Sequence, residues 1–150
     1  MTYLRIGAIS AVLAAAFLLG MWVTSPGFPY SANGFPFNRT FVAVSLNGEP
    51  VNYERLPYLP TFEVRRSTFS RLRVFGSGGC NRYNGDLTLV SEQSIAWGQT
   101  SQTARVCGWG TEFDARYLQA LLKTVRWRRE EGTLILEDDT DSLRFMLAPR

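Results

Sequence analysis

Gly76-Ser-Gly-Gly-Cys80-Asn-Arg-Tyr-Asn-Gly85 is the stretch whose reading decides the fold. It lies between Leu72-Arg-Val-Phe75 and Leu87-Thr-Leu-Val90, both of which read as strands. Glycines beside a cysteine and two asparagines predict tight or left-handed backbone, not an element interior. The stretch therefore reads as a strand-to-strand corner. Gly76-Ser-Gly-Gly79 lacks the Lys-Ser/Thr pair and the following helix of a phosphate loop, so its glycines serve backbone geometry. Cys107 follows Cys80 by 27 positions in a second irregular segment, so the two can meet in space.

Short strand patterns continue outward on both sides. Thr40 to Leu46 is β-branched and aromatic, and Asn47-Gly48 ends it with a turn. Val51 to Pro60, with its prolines, reads as a connection or an edge. Thr61 to Val64 alternates, and Arg65-Arg66-Ser67 suits a hairpin into Leu72. Asp86 to Val90 and Ser94 to Trp97 are two further short strands. Thr111-Glu-Phe-Asp114 resembles a capping box with Thr111 as N-cap, opening a helix. Phe113, Tyr117, Leu118, Leu121, Leu122 and Val125 form its apolar stripe, and Glu112 and Arg116 have the spacing of an i,i+4 ion pair. Val125 to Arg128, Thr133 to Leu136 and Ser142 to Leu147 close the chain as strands, with turns at Glu131-Gly132 and Asp138 to Asp141. The expected class is α+β: an antiparallel β-sheet or small open barrel with one helix packed on it, preceded by an N-terminal apolar helix.

That N-terminal segment sets the compartment. Ile6 to Val23 is uncharged and follows a short n-region carrying Arg5. Eighteen residues at ~1.5 Å each reach about 27 Å, just enough for a bilayer core. Residues 1–25 read as a signal-anchor or a signal peptide, 26–38 as a linker rich in Pro, Gly and aromatics, and 39–150 as the folded domain. Anchored, the chain is a single-pass protein of the bacterial inner membrane with its domain in the periplasm. Cleaved, it is periplasmic or secreted. Arg5 on the short side favours the N-in orientation.

The chain contains no histidine, which removes Ser-His-Asp and Cys-His nucleophiles and every His-ligated metal. A net charge of +3 is too small to point to nucleic acid. No cofactor and no metal are expected.

Taken together, Asn47-Gly48-Glu-Pro50, Pro60-Thr-Phe62, Gly76 with Gly79-Cys-Asn81-Arg-Tyr83-Asn-Gly85, Thr103 before Cys107, Glu112 at a helix start, and Gly132-Thr-Leu134 resemble the META domain, or HslJ-like, family. The resemblance covers about residues 39 to 147, and Gly-Cys-Asn-x-Tyr-x-Gly is its most specific element. The chain has Thr103-Ala-Arg-Val-Cys107 where members typically have Thr-Arg-Met-Ala-Cys. The resemblance implies a bacterial envelope or secreted domain, with heat-shock or drug-resistance phenotypes in some members, and no enzymatic reaction.

The remaining candidates are few. Cys80 and Cys107, an even pair in an exported chain, read as a disulfide, with two buried free thiols as the alternative. Gly76, Gly79, Asn81, Tyr83, Gly85 and Thr103 are structural motif positions. Glu137, Asp138, Asp139 and Asp141 read as a solvated turn rather than a calcium loop. Arg71 and Arg73, like Arg126 and Arg128, fall on one face of their strands and offer a basic surface for an anionic envelope ligand. The functional expectation is a non-catalytic envelope module for binding or structure, related to stress tolerance. The alternatives are an inhibitor or assembly partner of another envelope protein and, further off, an enzyme. Its partners would be the membrane, through the N-terminal segment, and an envelope protein or anionic ligand.

Overall fold

The computed structural model describes residues 34–67 and 72–149. The apolar N-terminal segment and Arg71 lie outside these residues. Among the described residues no helix is long and apolar enough to cross a membrane.

Among the described residues, nine strands and one α-helix make up the domain: β1 (Thr40–Leu46), β2 (Glu49–Pro50), β3 (Thr61–Arg66), β4 (Leu72–Ser77), β5 (Arg82–Leu89), β6 (Ile95–Gln102), α1 (Trp109–Lys123), β7 (Arg126–Glu130), β8 (Thr133–Glu137) and β9 (Ser142–Leu147). A 3-10 turn, Tyr53–Arg55, follows β2. The strands form one antiparallel sheet in the order β6-β5-β4-β3-β1-β9-β8-β7, with β2 beside β1. The sheet curls until its outer strands meet at one end. There the Ile95 N–H donates to the Val125 carbonyl and the Trp127 N–H to the Gln93 carbonyl, each at 2.9 Å. The result is a half-barrel with α1 packed on it.

Alternation places one face of each strand in the core, and a bulge corrects the exception. Phe41 and Ala43 of β1 point inward, and the register against β9 shifts between Ala43 and Ser45, which returns Leu46 to the interior. Phe62 packs between Phe145 and Trp97, with ring centroids 5.5 and 6.4 Å away. Tyr117 of α1 meets Phe113, Tyr83 and Phe145 and is fully buried. Burying the Leu, Phe and Tyr side chains of this core contributes about 1.5–3 kcal/mol apiece before chain entropy is set against it.

The structure departs from the sequence reading at several points. Gly76 and Gly85 lie inside β4 and β5, so the corner shrinks to residues 78–81, where only Gly79 has positive φ. Glycine is needed at Gly76 for close approach: a Cβ there would sit 2.1 Å from the Thr61 carbonyl oxygen and against the Tyr83 ring. Strands β5 and β6 run longer than their alternating cores, because Arg82 to Gly85 pair with β4 and, beyond a bulge, Thr100 to Gln102 pair with β5 despite weak patterning. The helix starts two residues before Thr111, with Gly108 as N-cap. Thr111 Oγ1 instead accepts the Cys107 N–H at 2.7 Å. Arg116 pairs with Glu49 at 3.1 Å rather than with Glu112, because β2 passes close to the helix. Leu122 and Val125 are exposed; Ala120 takes the inward place beside Leu121. Within the segment read as linker, Phe35 is buried edge-on against Trp127, and Phe37 bridges to Val64 of β3.

Candidate binding site

The organising site sits where the 78–81 corner, the 103–108 loop and the first turns of α1 converge. Cys80 and Cys107 are joined by a disulfide, with their Cα atoms 5.9 Å apart. Beside it, Asn81 uses every hydrogen-bonding position of its amide. Its Nδ2 donates to Asp114 Oδ2 at 3.0 Å and to the Arg105 carbonyl at 3.3 Å. Its Oδ1 accepts the Thr103 hydroxyl at 2.9 Å and the Arg105 N–H at 2.7 Å. Asp114 is 3% exposed and accepts the N–H groups of Cys80 and Asn81 on Oδ1, at 3.2 and 2.9 Å. A buried carboxylate is tolerated when several N–H groups satisfy it, as here. Gly78 makes this approach feasible, since a Cβ at that position would lie 2.3 Å from Asp114 Oδ1.

Below this knot the Tyr83 and Tyr117 hydroxyls both reach the Thr61 carbonyl, at 2.8 and 3.1 Å, and lie 3.2 Å from each other. Burial pushes both phenols well above their ordinary range, so they are neutral hydrogen-bond donors and not acids at physiological pH. The motif positions thus act as a structural unit: Asn81, Thr103 and the disulfide pin the 103–108 loop, and Tyr83 locks the sheet to the helix.

A groove of about 320 Å³ opens between the 49–56 segment and the start of α1, which follows that loop. Its floor is Leu46, Leu56 and Phe113; its walls are the 49–56 segment and the first two turns of α1. Trp109 stands on the rim, 71% exposed, with the Arg55 guanidinium 5.5 Å over its ring centre. Tyr58, Leu59 and Val106 are further exposed apolar residues of the 53–59 and 103–108 segments, and Arg105 Nη1 donates to the Tyr58 hydroxyl at 3.0 Å.

Among the described residues, the basic side chains singled out in sequence, Arg73, Arg126 and Arg128, are not gathered into one patch. Arg73 bonds Asp86 and Asn84 at 3.0 Å each, Arg126 pairs with Asp139 at 2.9 Å, and Arg128 pairs with Glu130 and Glu137. β4 and β7 are separated by β3, β1, β9 and β8 along the sheet. Each of these three guanidinium groups is thereby neutralised by a neighbouring carboxylate. The acidic turn is likewise committed: Asp138 Oδ1 accepts the N–H groups of Thr140 and Asp141, and Asp141 bonds Asn47 and Lys123.

Sequence reasoning missed Asp114, Arg55 and Trp109. Asp114 left a signal: it stands three and four residues before Tyr117 and Leu118, on the buried stripe of the helix, where an acid must be satisfied internally. Arg55 and Trp109 left none, because their stacking joins segments more than fifty positions apart.

A disulfide-pinned antiparallel half-barrel closed by one helix is the class of domain that this fold and site define. The META domain family model matches residues 36–150, and the chain belongs to that family. Two solved structures share the fold. One NMR structure is 22% identical, with a TM-score of 0.60, covering 78% of this chain and 94% of its own. An NMR structure of a protein from Burkholderia xenovorans is 23% identical, with a TM-score of 0.57, covering 76% and 84% respectively. A comparison with curated proteins returned no match.

Proposed function

We propose that this META domain is a non-catalytic binding module of the bacterial envelope, exported or held at the inner membrane by residues 1–25, with a role in stress tolerance. The observation that carries the binding role is the groove beside the disulfide, with its exposed Trp109 and preorganised walls. Rigid walls favour binding because little freedom is left to lose when a ligand seats. The disulfide and the uncharged Ile6 to Val23 segment together support a location outside the reducing cytosol. A second reading, an inhibitor or assembly partner of another envelope protein, is favoured by the exposed Val106, Tyr58 and Leu59 near the same site.

Cell fractionation of the full-length chain tests the location: it should sediment with membranes or enter the periplasm with both cysteines oxidised. Recovery from the cytosol with two free thiols would refute it. Retention of solubilised envelope components on the immobilised full-length chain tests the binding role, and retention of no protein, lipid or glycan would end it.

A further inference from the structure

We infer that the groove between the 49–56 segment and α1 takes a polypeptide segment, anchored by one apolar side chain and flanked by an acidic and a basic residue. This deepens the binding reading above and rests on it.

The apolar part follows from the floor. Leu46, Leu56 and Phe113 offer a surface for a single aliphatic or aromatic side chain, and the exposed indole of Trp109 offers a wall beside it. Trp and Arg are the side chains that most often dominate protein recognition, and here they are already stacked on each other.

The charged part follows from what the rim leaves unpaired. Arg116 and Glu49 satisfy one another across the groove. Arg55 and Glu112 line the same groove, and beyond the stacking of Arg55 on Trp109 neither side chain has a hydrogen-bond or ion-pair partner among the described residues. A groove presenting one free guanidinium and one free carboxylate complements a ligand that carries both signs. A polypeptide segment does so and can set its apolar side chain between the two charges. In a zwitterionic lipid headgroup the charges are adjacent and the acyl chains lie to one side of both. An anionic lipid headgroup carries one sign and would leave Glu112 without a counterpart. A neutral glycan would leave Arg55 and Glu112 without counterparts.

The disulfide and the Asn81–Asp114 bonds fix the helical wall, so the site is formed before the ligand arrives. The test is selection of phage-displayed short random peptides on the full-length chain in detergent micelles. Trp109→Ala and Arg55→Glu serve as comparison proteins, each checked for an intact disulfide and unchanged melting. Enriched peptides should share an apolar residue with an acidic flank. Their affinity should fall about tenfold or more in Trp109→Ala, as expected for a recognition hot spot. Arg55→Glu should switch the preferred flank from acidic to basic.

Peptides that bind Trp109→Ala undiminished, or that share no motif, would overturn the assignment. So would Trp109-dependent capture of phosphatidylglycerol vesicles or of glycans in place of peptides. Envelope retention that persists in Trp109→Ala would sink this inference while leaving the broader binding role standing.

Discussion

Replacing Asn81 by aspartate changes one NH₂ group to oxygen at the centre of the knot. The introduced carboxylate would keep an acceptor for Thr103 and Arg105. Its second oxygen, however, would face Asp114 Oδ2 from the 3.0 Å now spanned by a hydrogen bond, and the Arg105 carbonyl from 3.3 Å. The bond to the carboxylate contributes about 1.5–3 kcal/mol and the neutral one about 1, and like-charge repulsion adds to their loss. The expected destabilisation is about 3–5 kcal/mol, or roughly 12–20 °C in Tm for a domain of this size. The loss relative to the parent should also depend on pH. In the parent, Glu63 is held below its ordinary range chiefly by Arg65, Asp138 by the Asp141 N–H, and Asp141 by Asn47. Their contributions are present above the ordinary carboxylate range and are lost as pH falls through the lowered values. The introduced aspartate, by contrast, faces Asp114 Oδ2 across 3.0 Å, and like-charge repulsion holds its proton affinity above the ordinary range. The penalty it imposes is smallest at low pH and grows as pH rises through its titration. Thermal melts of both proteins from neutral pH downward should therefore show the gap in Tm narrowing. The double variant Asn81→Asp/Asp114→Asn restores a donor to the contact and should recover part of the loss. Equal melting of Asn81→Asp and parent, or strictly additive effects in the double-mutant cycle, would refute the direct bond.

Cys80→Ser/Cys107→Ser opens a loop with a sequence separation of 27 and should lower stability by roughly 3–4 kcal/mol. Denaturant melts with and without reductant should give the same shift for the parent and none for the variant. Gly76→Ala forces a methyl group to 2.1 Å from the Thr61 carbonyl and should destabilise by about 3 kcal/mol or more, whereas Ala at Gly48, with open space around it but a φ of +82°, should lose only the backbone strain of about 1–2 kcal/mol; soluble yield and Tm distinguish them. Tyr83 and Tyr117 remain protonated in the folded state above the ordinary phenol value of 10.0, so their stabilisation is complete below that value and is lost as pH rises toward their raised values. Phenolate absorbance should rise together with unfolding. Tyr83→Phe should leave Tyr117 its bond to Thr61 and lower stability by about 1 kcal/mol. Titration of both buried phenols without unfolding would contradict that burial.

The alternating patterns, the turn dipeptides and the helical stripe determined the antiparallel sheet, the place of the helix in the strand order and the family resemblance, because each is a local preference set by side-chain period or turn geometry. The even cysteine pair was legible in the same way, and the structure joins Cys80 to Cys107. Strand length was less legible. Asn84, Gly85 and Ser101 have little strand preference, and they pair because neighbouring strands offer partners for their backbone groups. Only the tertiary structure decided that Gly76 and Gly85 are strand residues, that Asp114 is a buried acceptor instead of a helix-start charge, and that Arg73, Arg126 and Arg128 each have a carboxylate of their own. Those outcomes depend on which segments come within a few ångströms of one another. Arg55 over Trp109 is the clearest case, since neither residue signals the other until the 103–108 loop, pinned by Cys80 and Asn81, sets the helix beside β2.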